Sequence, residues 1–178
     1  MPDTNYEELN TIKRTARAAC FTGETLVNIN ESYLIHFEAL YERRLHFVGT
    51  TIQSFDDEGR IVVDVIDDVS RHLVHEYLKV SFEDGSWLNV TPAHPFFSEG
   101  REFVPIGELG EGARVLEYRD EDWRWLTILA IEPIEAPEGI EVFNLRTSLT
   151  RHYFVEHKGV HNLKARAAKK SERSLSAR

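Results

Sequence analysis

Short segments of alternating apolar and polar residues, separated by turn-forming residues, dominate this sequence after residue 20. Successive side chains of a strand point to opposite faces, so this alternation predicts strands with one buried face. The clearest segments are RIVVDVIDD, EYLKVSF, SWLNVTP, RVLEY, RWLTILAIEPI, EVFNLRT and HYFVEH. Asp84-Gly85 lies between the second and third of these and is the strongest hairpin signal in the chain. The pattern predicts one compact, mostly β domain.

Breaks between these segments are marked by glycine and proline. The residues predicted to end or turn strands are Gly59, Gly100, Gly107, Gly110, Gly112, Pro133 and Pro137. Inside the domain only residues 34–44 have a helical pattern, and a weaker one surrounds Tyr6, Leu9 and Ile12. We therefore predict a flanking segment over residues 1–19, a domain over residues 20–162 and a tail over residues 163–178.

The tail differs from the domain in charge. Residues 163–178 contain six Lys or Arg, one Glu and few large apolar side chains, which is typical of a segment outside the core. The whole chain nevertheless carries a net charge of -9, so the domain is strongly acidic and nucleic acid is not expected as a partner.

The sequence shows neither a run of about 18 apolar residues nor a signal-peptide pattern. We expect no membrane partner. The predicted location is the cytoplasm, or a place within a larger, exported precursor.

The chain has a single cysteine, Cys20. One thiol excludes an internal disulfide framework and a zinc site made of several thiolates. Two interpretations remain, a buried apolar side chain, which is the commoner case among proteins, and a reactive thiol. Cys20 follows Ala18 and Ala19 at the point where the helical pattern changes to a strand pattern.

Four segments hold polar groups that can act on a peptide bond. They are AACFTGETLV with Cys20, NVTPAHPFF with Thr91 and His94, EVFNLRTSLTRHYFVEH with His152, and KGVHN with His161 and Asn162. Thr91 and His94 follow the predicted hairpin, and Pro95 is predicted to enforce a turn there. Any one of these segments alone is weak evidence of a function. All four in this order, with predicted strands between them, are strong evidence.

In that order the four segments resemble the motifs of the Hint (hedgehog/intein) family, and the resemblance runs from Cys20 to Asn162. It implies a mostly β, horseshoe-like fold with short helices, whose two ends come together. It also implies a single-turnover, cis-acting self-cleavage that needs neither a cofactor nor a metal. Among its members, the chain looks most like bacterial intein-like domains and the Hint modules that precede toxin domains.

At the first end, the resemblance implies that Cys20 attacks the carbonyl of Ala19 and converts the amide into a thioester. The thiolate is the attacking species, and a free thiol with a pKa of about 8.5 is only a few per cent ionised at neutral pH. His94 matches the family histidine that contacts the amide nitrogen and would protonate it. Thr91 would hydrogen-bond and polarise the same amide. Taken alone, TPAHPF also fits a turn with a structural histidine.

At the second end, the side-chain amide of Asn162 would attack its own main-chain carbonyl, form a succinimide and release the segment that begins at Leu163. His161 and His152 match the two helper histidines of the family, which polarise the carbonyl and supply a proton. The alternative interpretation of GVHN is a glycine turn followed by a capping asparagine.

Two residues depart from the family pattern. Leu163 stands where a splicing intein has Cys, Ser or Thr, so conventional splicing is not expected and each end should cleave separately. Asn144 stands where many inteins have an aspartate that tunes the cysteine, so slower or differently regulated cleavage before Cys20 is expected. The expected partners are the chain's own flanking segments and, at the thioester, water or an external nucleophile.

Two rival functions remain. One is an inactive Hint module that serves in binding or folding, and the other is a hydrolase in which Cys20 and His94 cut foreign substrates.

The other histidines and the tryptophans are predicted to be structural. His72 and His75 lie three residues apart on a predicted strand, so they point to opposite faces and a metal site with Glu76 is disfavoured. His36, His46 and His157 are predicted to be surface or structural residues. The tryptophans Trp87, Trp123 and Trp125 are predicted to lie mostly in the core or on half-buried strand faces.

Overall fold

A computed structural model describes residues 18–162. The helical pattern around Tyr6, the tail and Leu163 lie outside this range. The described elements are β1 (Phe21–Thr22), β2 (Leu26–Asn28), β3 (Leu34–His36), α1 (Phe37–Glu42), α2 (Arg44–Phe47), β4 (Thr51–Phe55), β5 (Ile61–Phe82), β6 (Trp87–Val90), β7 (Pro95–Phe97), β8 (Phe103–Pro105), β9 (Arg114–Arg119), β10 (Asp122–Thr147), β11 (His152–Val155) and β12 (Lys158–His161).

All strands belong to one continuous antiparallel system, as the alternating sequence pattern predicts. Along it the order is β3-β2-β11-β12-β9-β10-β1-β6-β5-β4, while β7 pairs with β12 and β8. Short β1 lies between two longer partners, since Phe21 pairs with Phe143 of β10 on one side and with Val90 of β6 on the other. This placement puts the chain before β1 in the middle of the sheet.

Two strands are much longer than the sequence segments predicted. RIVVDVIDD and EYLKVSF form one strand, β5, and RWLTILAIEPI and EVFNLRT form another, β10. The predicted breaks at Pro133 and Pro137 are therefore wrong: Pro133 pairs with Leu78, and Pro137 lies in an irregularity between Glu135 and Ile140. A proline removes one N–H from a ladder, and a bulge accommodates that loss without ending the strand.

The hairpin at Asp84-Gly85 is confirmed, and Gly85 adopts a φ of +85° there. The turn predicted at Pro95 is wrong in position, because Pro92 and Ala93 form the turn and Pro95 begins β7. The helix predicted over residues 34–44 starts later. Leu34–His36 pair with β2, and helix α1 then buries Phe37 and Leu40 against the sheet.

The main core is a large cluster of buried apolar side chains that includes Phe21, Phe37, Val80 and Tyr153. Cys20 belongs to a separate small cluster with Val74 and Val142. The prediction that the tryptophans lie mostly in the core or on half-buried strand faces holds for Trp125, whereas Trp87 is 45% exposed and Trp123 is 38% exposed. Within residues 18–162, the helices are too short and too polar to cross a membrane.

Candidate functional site

The Ala19–Cys20 peptide bond lies inside the protein. Ala19 is 6% exposed and Cys20 is 1% exposed, because the strands on both sides of β1 cover the segment that precedes it. The thiol of Cys20 is free. Burial raises its pKa to about 12, since an anion loses its hydration in an apolar surrounding. The thiol is therefore protonated at neutral pH.

Thr91 holds the backbone on both sides of Ala19. The N–H of Cys20 donates to the Thr91 hydroxyl oxygen at 2.9 Å, and that hydroxyl donates in turn to the carbonyl of Ala18. The N–H of Thr91 donates to the carbonyl of Cys20 at 2.9 Å. Thr91 itself is buried. The amide nitrogen that the sequence marks for cleavage is thus hydrogen-bonded to the residue predicted to polarise it.

His94 lies beside the same peptide bond but in an apolar setting. Its ring is fully buried among the rings of Phe21, Phe96 and Tyr153, with centroid distances of 4.3 to 6.3 Å. Neither ring nitrogen has a hydrogen-bond partner among residues 18–162.

Burial lowers the pKa of His94 to about 3, the charge of His161 acts in the same direction, and the adjoining backbone of Ala19 opposes both. That backbone contact falls short of a regular hydrogen bond. At neutral pH the imidazole is uncharged and has unused hydrogen-bonding capacity next to Ala19.

At the other end, His152 and His161 face each other across a strand pair. They are paired residues of β11 and β12, and their Nδ1 atoms are 2.9 Å apart. Burial is the main cause that lowers the pKa of both, to about 4 for His161, where His152 and Arg151 add to the effect. Both imidazoles are uncharged at neutral pH.

An aspartate completes this histidine pair. Oδ1 of Asp57 is 2.9 Å from Nε2 of His152, although the Asp57 side chain is 90% exposed and His152 only 3%. The ring of His152 packs against the rings of Phe55 and Phe103, with centroid distances of 4.9 and 4.5 Å. The carboxylate thus connects the buried His152, and through it the half-buried His161, to the surface.

A second network positions the start of β11. The buried carboxylate of Asp64 accepts hydrogen bonds from the N–H groups of Leu149 and Thr150 and from the Thr150 hydroxyl, at 2.7 to 3.0 Å. These hydrogen bonds lower the pKa of Asp64 against the opposing effect of burial. Ser54 links the same turn to the carbonyl of His152 at 2.6 Å.

Asn162 follows β12 directly and is held at two points. Its N–H donates to the carbonyl of Arg151, and its side-chain Nδ2 donates to the carbonyl of Leu145, both at 2.8 Å. The interpretation of GVHN as a glycine turn is wrong, since Gly159 lies inside β12 and the turn is formed by Glu156 and His157.

Asn144 is buried within β10. Continuing the pairing of Phe21 with Phe143 by one residue puts Asn144 opposite Cys20. Its Oδ1 accepts hydrogen bonds from the N–H of Leu145 and the hydroxyl of Tyr153, both at 2.8 Å. The ring of Tyr153 also contacts the ring of His94. Tyr153 follows His152 in β11 and pairs with Val160 of β12.

The two groups of residues therefore adjoin each other. Residues 143–145 of β10 contact Cys20 through the β1 pairing and Asn162 through the Leu145 carbonyl. His161 is close enough to His94 to lower its pKa. The structure brings together Cys20, Thr91, His94, Asn144, His152, His161 and Asn162, while Leu163 lies outside the described residues.

Sequence reasoning missed Asp57, Asp64, Ser54 and Tyr153. Asp57 lies in the turn DDEGR between β4 and β5, and the sequence gives no sign that this turn reaches His152. Asp64 lies in a predicted strand and Ser54 in β4, a strand that the sequence pattern did not predict; both are buried, and a buried polar residue is the signal to notice.

The remaining histidines lie apart from this site. His36, His46, His72 and His75 are exposed, and His157 is half-buried with its N–H bound to Asn28 Oδ1 at 2.8 Å. In the part of the chain that the structure describes, no group of three or more His, Cys, Asp or Glu side chains has an arrangement for a metal ion.

Comparison with solved structures identifies the fold. A bacterial intein-like domain from Clostridium thermocellum superposes with a TM-score of 0.70 at 19% identity, covering 82% of this chain and 99% of that one. A DnaB intein from Synechocystis sp. PCC 6803 superposes with a TM-score of 0.69 at 14% identity, covering 83% and 100%. The PabCDC21-1 intein gives 0.69 at 18% identity, covering 82% and 99%.

No protein-family profile and no curated protein sequence matches the chain. At these identities the superpositions establish the fold. The predicted mostly β Hint (hedgehog/intein) fold is confirmed.

Proposed function

We propose that this chain is a cis-acting autoprocessing domain that cleaves the peptide bonds before Cys20 and after Asn162. The fold shared with inteins and with an intein-like domain supports self-processing in general. The observation that carries the specific proposal is the clamp of Thr91 around Ala19. It holds the amide nitrogen of Cys20 and the carbonyl of Ala18, and the thiol of Cys20 and the imidazole of His94 are buried close to the same peptide bond.

The first step is an N–S acyl shift. The thiol of Cys20 loses its proton to a base in solution, Sγ attacks the carbonyl carbon of Ala19, and the amide nitrogen gains a proton by way of the neutral imidazole of His94. The C–N bond then breaks, which leaves a thioester at Ala19 and a free amino group on Cys20. Thr91 favours this step by holding the amide nitrogen of Cys20 and the carbonyl of Ala18 in one geometry. Water or an external thiol resolves the thioester.

The second step is cyclisation of Asn162. Nδ2 attacks the residue's own carbonyl carbon and loses a proton, and the C–N bond to Leu163 breaks as the leaving nitrogen gains one. The neutral imidazole of His161 is a suitable base for the amide, and His152 lies directly behind it. The Leu145 carbonyl holds Nδ2 in place before the reaction. Since Leu163 has no nucleophilic side chain, the two cleavages proceed separately and without splicing.

The expected result is separate loss of the two flanks. Denaturing electrophoresis and intact mass measurement should show breaks before Cys20 and after Asn162. Cys20→Ala should abolish only the first break and Asn162→Ala only the second. A folded chain that stays intact in reducing buffer for days contradicts the proposal.

An inactive Hint module is the second candidate, and one observation favours it. Burial keeps the thiol and the imidazole uncharged, with pKa values of about 12 and about 3, so no thiolate–imidazolium pair is preformed. The same mass measurement decides between the two candidates.

Cleavage of foreign substrates is disfavoured because Cys20 is only 1% exposed. A cleavage rate that is independent of protein concentration would confirm action in cis.

A further inference from the structure

The histidine pair beside Asn162 is connected to a carboxylate whose role neither the sequence pattern nor the proposed function explains. Asp57 Oδ1, His152 Nε2, His152 Nδ1 and His161 Nδ1 form a chain with two contacts of 2.9 Å. Its first member is 90% exposed and its second is 3% exposed. The chain therefore runs from solvent into the protein.

Hydrogen-bonding capacity fixes the direction of this chain. An ionised carboxylate accepts hydrogen bonds and cannot donate one, so Nε2 of His152 carries the proton. In a neutral imidazole the other nitrogen is then an acceptor, so Nδ1 of His152 accepts from Nδ1 of His161. Nε2 of His161 is left with its lone pair. The carboxylate thereby leaves the histidine next to Asn162 in its basic form at Nε2.

The turn that carries Asp57 is built to hold it. Oδ1 of Asp56 accepts from the N–H groups of Glu58 and Arg60, and Oδ2 of Asp56 accepts from the Arg60 guanidinium at 2.7 Å. Gly59 adopts a φ of +86° and donates its N–H to the Asp56 carbonyl. Asp57 follows directly in this closed turn, so its carboxylate is positioned at little further entropic cost.

The receiving ring is fixed as well. Phe55 and Phe103 stack on His152, and Ser54 holds its carbonyl, so the imidazole cannot easily rotate away from Asp57. The contact thus joins two preorganised groups, although the carboxylate faces water.

We propose that Asp57 is a positioning residue for cleavage after Asn162: through His152 it sets the tautomer of His161, which then accepts the Nδ2 proton of Asn162. This role rests on the proposed function. It assigns no part to Asp57 in the step at Cys20, because among residues 18–162 the carboxylate is hydrogen-bonded to His152 at the other end.

Asp57→Asn tests the proposal, since an amide can either donate or accept and no longer fixes the direction. Cleavage after Asn162 should slow by about ten- to a hundred-fold, while cleavage before Cys20 should change by less than about two-fold. The matched control is Glu99→Gln, another exposed carboxylate that pairs only with Arg114. It should leave both rates unchanged.

A spectroscopic readout separates tautomer control from a general effect on the fold. Nitrogen chemical shifts of the two imidazoles are to be measured by NMR in the uncleaved Cys20→Ala, Asn162→Ala double variant. We expect His152 protonated at Nε2 and His161 protonated at Nδ1, and we expect Asp57→Asn to mix the tautomers while Glu99→Gln does not.

Unchanged cleavage after Asn162 in Asp57→Asn, with normal cleavage in the parent chain, overturns the role of Asp57 alone. Finding His152 protonated at Nδ1 and His161 protonated at Nε2 in the uncleaved double variant overturns it too. A parent chain that never cleaves after Asn162 overturns the proposed function itself, and the role of Asp57 with it.

Discussion

The two ends of the site solve the same chemical problem in different surroundings. At Cys20 the nucleophile, the peptide bond and His94 are buried, and the imidazole has no hydrogen-bond partner among residues 18–162. At Asn162 two histidines are hydrogen-bonded to each other and, through Asp57, reach solvent. Among residues 18–162, the first end has no hydrogen-bonded path to water and the second has one.

This difference indicates which protonation equilibrium is expected to limit the rate of each cleavage. A buried thiol and an unpartnered imidazole gain reactivity only when a proton moves in a low-dielectric surrounding, which is costly without a relay. The connected pair at Asn162 exchanges protons readily. We therefore expect the first cleavage to depend on ionisation of Cys20 and the second on the neutral form of His161.

The largest expected contrast lies in the pH dependence. Because the pKa of Cys20 is about 12, cleavage before Cys20 should accelerate by roughly ten-fold per pH unit between pH 6 and 9, as the thiolate fraction grows. Because the pKa of His161 is about 4, cleavage after Asn162 should be flat over that range and fall only near pH 4, where the base becomes protonated.

The measurement follows both fragments by mass spectrometry, with saturating external thiol so that thioester resolution does not limit the rate. A rate of the first cleavage that does not change between pH 6 and 9 would show that the thiol is already activated. The two cleavages would then not differ in their pH dependence over this range.

The next largest effect is expected from Thr91→Val, which keeps the shape but removes the hydroxyl. Cleavage before Cys20 should slow by about a hundred-fold or more, because the amide loses the group that holds and polarises it. The buried N–H of Cys20 also loses its partner, which should cost roughly 1–3 kcal/mol of stability. Cleavage after Asn162 should persist.

Thr147→Val is the matched control for this prediction. Thr147 is 1% exposed and its hydroxyl has no hydrogen-bond partner among residues 18–162. Its replacement should leave both rates and the stability nearly unchanged. Equal effects of the two substitutions on cleavage would show that Thr91 acts only through packing.

A smaller effect is expected from Asn144→Asp. An aspartate can accept the same hydrogen bonds from Leu145 and Tyr153, and it adds a group that exchanges protons opposite Cys20. Cleavage before Cys20 should accelerate by up to about ten-fold, with no change after Asn162. An unchanged rate at Cys20 would remove the tuning role that the sequence assigns to this position.

The stability of the fold should also depend on pH through the buried His94. Since folding lowers the pKa of His94 from 6.5 to about 3, the unfolded chain binds more protons between these values. The contribution of uncharged His94 to the free energy of unfolding is present above pH 6.5. It is lost as the pH falls toward 3, at up to about 1.4 kcal/mol per pH unit. His94→Leu should remove this part of the slope.

Urea unfolding at several pH values, in the Cys20→Ala background, measures that slope. Replacement of the exposed His72 by leucine serves as the control. Identical slopes in His94→Leu and its parent would mean that the buried imidazole already binds a proton in the folded chain.

The strand content followed from local patterns, whereas the candidate site residues rest on the resemblance of four segments to a known family. Alternation predicts strands because one face of each must be buried, and Asp84-Gly85 predicts the hairpin because glycine readily adopts the positive φ required there. The lengths of β5 and β10 could not be predicted. The chain continues through Pro133 and Pro137 because neighbouring strands keep pairing on both sides of the bulge, which is a property of the sheet and not of the segment.

Two hairpin turns also lack a sequence signal. Asp120 and Glu121, and likewise Glu156 and His157, adopt positive φ without any glycine. At the second turn the cost is offset by Asn28, whose side chain bonds to both the N–H and the ring of His157. Asn28 is far away in the sequence, so only the folded chain reveals the reason.

The amino-acid sequence alone gave the set of reactive groups and their order. These are one thiol after two alanines, an ordered set of histidines, a His-Asn pair at the end of the predicted domain and a leucine after it. These are properties of residue types and their order. Tertiary structure alone decided protonation and connection, namely that Cys20 and His94 are buried and uncharged and that Asp57 reaches His152. The physical reason is that burial, electric field and hydrogen-bond direction depend on groups brought together from distant parts of the chain, and no local pattern contains them.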